Sequence, residues 1–134
     1  MTPSRSLTIL IADDSQSVSE MLAELVSDPG RIEVIGFADS EDTAIERVMR
    51  LKPDVVILDM QLRSGSGTGV IRAVRSSPES HRTKLIVMSN HPSPQIRKRC
   101  LELGADYFFD KAKDFDLLTV ALGELLARGL AANG

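Results

Sequence analysis

The chain of 134 residues has a single cysteine, Cys100, so no internal disulfide can staple it. That fits a reducing compartment, and a cytoplasmic location is the expectation. No apolar run is long enough to cross a bilayer, and the opening residues MTPSRS lack the apolar stretch of a secretory leader. Basic charge is not in excess either: 16 Lys and Arg against 19 Asp and Glu leave a net charge of −3. That balance argues against direct nucleic-acid binding. Internal repeats, low-complexity tracts and linkers are absent. What remains is ordinary for a globular protein, with 43% hydrophobic and 26% charged residues. One domain over 1–134 is expected, with a core of about 7–127 and short frayed tails.

Apolar patterning divides the chain into alternating segments. LTILIA (7–12), IEVIGFA (32–38), DVVILD (54–59), KLIVMS (84–89) and DYFFD (106–110) are short aliphatic or aromatic runs bounded by polar residues, the pattern of buried strands. Between them lie amphipathic stretches at helical spacing. The first, from Ser15 to about Ser27, is expected to turn Val18, Met21, Leu22, Leu25 and Val26 inward, and Pro29 and Gly30 stop it. Ser40 can cap a second helix facing inward with Ala44, Ile45, Val48 and Met49. A third carries Val70, Ile71 and Val74. A fourth, about 94–103, has Ile96, Cys100 and Leu103 inward. A fifth, about 115–127, has Leu118, Ala121, Leu122 and Leu125 on one face. Strands alternating with helices imply a parallel α/β sheet covered on both faces.

In such sheets, ligands bind beyond the carboxyl ends of the strands. Those ends carry chemistry here: Asp13 and Asp14 after the first strand, Asp59 closing the third, Ser89 closing the fourth, and Lys111 after the fifth. Three carboxylates brought together repel one another unless a cation neutralises them. A hard divalent ion such as Mg²⁺ or Mn²⁺ does so through oxygen ligands and can clamp phosphoryl oxygens in its open positions. A carboxylate can itself act as a nucleophile and become an aspartyl-phosphate.

With these residues in that order, the chain resembles the receiver domain of bacterial two-component response regulators over about residues 7–127. The resemblance implies a flavodoxin-like (βα)5 fold with strand order 2-1-3-4-5. It implies Asp59 as phosphoacceptor, and Asp14, Asp59 and the Gln61 backbone carbonyl as direct Mg²⁺ ligands, with Asp13 acting mostly through a metal-bound water. Ser89 and Lys111 would each meet a phosphoryl oxygen. Phe108 would be the switch aromatic that turns inward when Ser89 is drawn toward the phosphoryl group. Gln61 and His91 would tune hydrolysis. A histidine kinase or histidine phosphotransfer protein would be the donor, and the surface of helix four, strand five and helix five would meet a downstream protein. The chain would work as a monomer or weak dimer, either as a stand-alone receiver or as a receiver trimmed from an effector domain.

Two positions depart from the family pattern: Ala112 follows the lysine where Pro is frequent, and Arg63 also replaces a frequent Pro. The turn after Lys111 must therefore be built another way. GSGTGV (65–70) imitates a dinucleotide loop, but Val70 stands in place of the third glycine and no acid is suitably placed for a ribose. A flexible loop beside the acceptor is the expectation. RKR (97–99) reads as a solvated helix face or a partner contact. Two other function classes compete. An aspartyl-phosphate phosphatase would need a general acid two residues after the nucleophile, where Gln61 stands. A pseudo-receiver scaffold would have no use for the full set of five residues.

Overall fold

The computed structural model describes residues 6–129. Five strands and five helices alternate: β1 (Leu7–Ala12), α1 (Gln16–Val26), β2 (Ile32–Ala38), α2 (Glu41–Leu51), β3 (Val55–Asp59), α3 (Gly67–Ser76), β4 (Lys84–Ser89), α4 (Pro94–Leu103), β5 (Tyr107–Asp110) and α5 (Phe115–Ala127). The strands form one sheet in the order β2-β1-β3-β4-β5, and every pairing is parallel. This is the expected flavodoxin-like architecture, and all carboxyl ends lie on one rim.

Strand alternation sorts the core into two layers. Leu7, Ile9, Ile11, Val55, Ile57, Ile86 and Met88 face α1 and α5, against Leu22, Val26, Leu118, Leu122 and Leu125. Leu10, Ala12, Val56, Leu58, Leu85 and Val87 face the other way, onto Ala44, Val48, Val70, Ile71, Val74 and Cys100 of α2, α3 and α4. Both faces of the central strands are thus covered, which is why these strands are apolar throughout rather than alternating. Ser15, Ser40, Ser66 and Ser93 cap the first four helices, each accepting a hydrogen bond from a backbone N–H of the first turn.

Two inward faces differ from expectation. On α1, Met21 and Leu25 are exposed, at 44% and 43%, while Ser19, Leu22 and Val26 are buried. The apolar arc of this helix is wider than the sheet it covers. At 100° per residue, Met21 and Leu25 share one flank, and the helix is rolled so that Leu22 and Val26 are central. On α4, Ile96 is exposed and Cys100 is the fully buried anchor. Strands β3 and β5 also begin one residue later than the apolar runs suggest, at Val55 and Tyr107. Among the described residues, no helix is long and apolar enough to cross a membrane.

Candidate functional site

The rim gathers the acids. Asp13 directly follows β1 and Asp59 is the last residue of β3, a neighbouring strand, so adjacent strand ends place both carboxylates side by side. Both are buried, while Asp14 is exposed. One carboxylate oxygen from each of Asp13, Asp14 and Asp59 lies within 4.8 Å of the others. From the end of β5, Lys111 reaches in past β4: its Nζ donates to Asp13 Oδ2 at 2.5 Å and to Asp59 Oδ2 at 3.1 Å. The lysine is only 7% exposed. The Lys111 backbone N–H donates to the Ser89 carbonyl at 2.8 Å, which sets the lysine beside the end of β4.

Local turns fix the remaining lone pairs. Asp13 Oδ1 accepts from the Ser15 N–H at 2.9 Å, and Asp59 Oδ1 from the Gln61 N–H at 3.2 Å. Ser89 Oγ accepts from the His91 N–H at 3.2 Å. These side-chain-to-backbone bonds, two residues ahead, are turn contacts.

The electrostatics are unbalanced. Burial pushes the Asp59 carboxyl above the usual carboxylate range, and the charge of Asp13 adds to this, against the Gln61 N–H and the Lys111 ammonium. Burial alone would lower Lys111, but the hydrogen bond to Asp13 and the charges of Asp59 and Asp13 outweigh it and hold the ammonium above its usual value. Three carboxylates against one ammonium leave an excess of two negative charges. An all-oxygen set with one exposed member fits a hard divalent cation that keeps several waters, and does not fit a thiolate- or imidazole-seeking metal.

The other expected residues lie around this nest. Gln61 and His91 are exposed at its mouth. Phe108 is buried, 5% exposed, in the layer with Val87 and Cys100. The Phe108 carbonyl accepts from Arg97 Nη1 of α4 at 3.1 Å, a tie that the basic run alone does not reveal. The other two residues of that run, Lys98 and Arg99, are exposed. In the turn after Lys111, the Ala112 N–H donates to Asp110 Oδ1 and the Asp110 N–H to Asp114 Oδ2, both at 2.8 Å. Arg63 pairs with Asp39 at 3.2 Å. A cleft of about 530 Å³, lined in part by Asp13, Asp14, Phe37, Arg47 and Arg63, opens beside the acids.

The 65–70 segment is not all loop as expected: Gly67 already opens α3, and the residues before it are tied down. Gln61 and Ser66 form an antiparallel bridge, the Gly67 N–H donates to the Met60 carbonyl, and the Ser66 N–H donates to Glu41 Oε1 at 2.9 Å. Glu41 gives no signal in the sequence, because an acid after a capping serine reads as an ordinary first-turn residue.

Known proteins share this fold. Residues 9–123 match the family model of the response regulator receiver domain. Over a 136-position alignment that covers all of it, the chain is 32% identical to a protein-glutamate methylesterase/protein-glutamine glutaminase 5 of Myxococcus xanthus, and it spans 39% of that protein. The receiver domain of the putative response regulator NarL from Mycobacterium tuberculosis aligns with a TM-score of 0.82 at 28% identity, covering 92% of this chain and 98% of that one. The signal receiver domain of a DNA-binding response regulator from Colwellia psychrerythraea aligns with a TM-score of 0.83 at 24% identity, covering 91% and 99%, which speaks to the fold. The chain belongs to the response regulator receiver domain family.

Proposed function

We propose that the chain stores a signal as a phosphoryl group on Asp59, taken from a phosphohistidine of a histidine kinase or a histidine phosphotransfer protein. An Asp59 carboxylate oxygen forms the new P–O bond, the N–P bond breaks, and its electron pair returns to the imidazole. Asp13, Asp14, Asp59 and the Gln61 carbonyl would hold Mg²⁺ or Mn²⁺, which when bound neutralises charge on the phosphoryl oxygens. The Lys111 ammonium offers a second cation to those oxygens, and the Ser89 hydroxyl a hydrogen bond. Gln61 and His91, exposed at the mouth, govern access of the hydrolytic water. The phosphoryl group biases two packings of Phe108 and the Arg97 tie, and so the α4, β5 and α5 surface presented to a downstream protein.

The strongest support is the buried Lys111 ammonium held on both Asp13 and Asp59 at the ends of neighbouring strands. The test is incubation with acetyl phosphate, with and without Mg²⁺, followed by intact mass. One acid-labile phosphoryl group is expected, dependent on the ion and missing in Asp59→Asn. Many turnovers of donor per chain would point to an enzyme instead, and no labelling at all would point to a scaffold.

A further inference from the structure

Glu41, the first residue of α2, grips the segment after the acceptor at two points. Its backbone N–H donates to the Ser64 carbonyl at 2.8 Å, and its Oε1 accepts from the Ser66 N–H at 2.9 Å. Gly65 and Gly69 face the same carboxyl: a Cβ built on either would fall on Glu41 atoms, closer than real side chains approach. Two of the three glycines that imitate a dinucleotide loop in the sequence therefore make room for a carboxylate of the chain itself. Ser66 is in turn bridged to Gln61, and the Gln61 N–H donates to Asp59 Oδ1. A continuous line of contacts runs from α2, through Ser66 and Gln61, to the Asp59 carboxylate.

We propose that Glu41 is a positioning residue for the acidic site: its carboxylate, seated on the Ser66 amide between Gly65 and Gly69, fixes the Gln61 backbone against Asp59 and so sets divalent-cation affinity. This rests on the proposed function only for the cation; the brace itself belongs to the metal-free chain. Glu41→Ala removes the acceptor, while Glu41→Gln keeps an oxygen for the same N–H and should rescue. Gly69→Ala displaces the carboxyl while improving local helix propensity, so any loss it causes is not a helix defect.

Amide hydrogen exchange on the metal-free chain and calorimetric Mg²⁺ titration test this together. In Glu41→Ala, exchange at Ser66 and Gln61 should quicken about tenfold, the effect of losing a charge-assisted bond. Mg²⁺ affinity should fall about tenfold, the low end for losing an outer support of a metal site. Gly69→Ala should follow it, and Glu41→Gln should stay within about twofold of the parent on the same scale. Arg75→Ala, at the opposite end of the sheet, serves as the control for general stability. Unchanged Ser66 and Gln61 exchange in Glu41→Ala would overturn the brace, as would an equal loss of Mg²⁺ affinity in Arg75→Ala. Should the parent itself take up no Mg²⁺, the proposed function fails and the exchange comparison alone decides the brace. Should Glu41→Ala not fold, Gly69→Ala carries the same comparison.

Discussion

The two rims of the sheet answer their charges in opposite ways. At the amino ends of β4 and β5, Arg75 of α3 donates to the carbonyls of Gly104, His81 and Thr83 and pairs with Asp106 at 2.7 Å. Asp106 also accepts from the Leu85 N–H. Here the anion is answered in full, by Arg75 and, at 3.9 Å, by Lys84, and the remaining Arg75 donors find backbone acceptors. At the carboxyl ends, Asp13 and Asp59 are buried with one shared ammonium and a third acid beside them. A rim that only had to hold the fold together could have been built like the first. The second carries surplus negative charge inside the protein, a feature that costs stability and that the proposed function would explain.

The contrast can be broken most forcefully at Lys111. Lys111→Met leaves two buried carboxylates facing each other, and metal-free stability should fall by about 3–5 kcal/mol, the usual result of removing one partner from a buried charge cluster. Saturating Mg²⁺ should recover much of that loss, since it answers the same charge. Urea unfolding with and without Mg²⁺ reads both; equal losses in the two conditions would remove the electrostatic link between lysine and ion. Arg75→Ala is the counterpart at the other rim. It strands partly buried carbonyls and leaves Asp106 with only Lys84 and the Leu85 N–H, and should cost about 2–3 kcal/mol. Because no site group is touched, that loss should be the same with and without Mg²⁺, and acetyl phosphate should still label the chain.

The difference between the rims also marks what is legible in the sequence. Strands and core can be read because fully apolar runs admit few placements, and Asp13, Asp14, Asp59, Ser89 and Lys111 can be read because each stands at or just beyond the end of such a run. The roll of α1 cannot, because five apolar residues on one helix leave the choice of flank to tertiary packing, which puts Met21 and Leu25 outside. The brace by Glu41 is equally hidden, since its partner Ser66 is 25 residues away and the bond is to a backbone amide that nearly every residue type has. Its one trace is Gly69, a glycine within a helix, which commonly has a packing reason. Ala112 signals that the turn after Lys111 differs from the family pattern, but not that Asp110 and Asp114 build it.

A smaller effect sharpens the comparison from the other side. Asp59→Asn keeps the shape of the acceptor and removes a charge that burial disfavours. Metal-free stability should rise by about 1 kcal/mol, as relief of a functional site's built-in strain commonly gives, while phosphoryl labelling disappears. The urea midpoint decides: a midpoint below that of the parent would mean that Lys111 needs the Asp59 charge more than Asp59 resents burial.

The mildest test is pH. Burial is the main cause that raises the Asp59 carboxyl, so the folded chain binds its proton more tightly than the unfolded chain does. In the window between the ordinary carboxylate range and that raised value, the native state holds more protons, and stability should fall as pH rises through it. Acidifying the metal-free chain through this window should therefore relieve the Asp59 part of the destabilisation. Mg²⁺ requires the ionised carboxylate and competes with the same proton, so its affinity should weaken as pH falls through the window, and binding there should release a proton into the buffer. Calorimetric titrations in buffers of different ionisation enthalpy measure that release directly. Asp59→Asn should abolish its Asp59 share, and an Mg²⁺ affinity that stays flat across the window would show that the acceptor carboxyl takes no part in holding the ion.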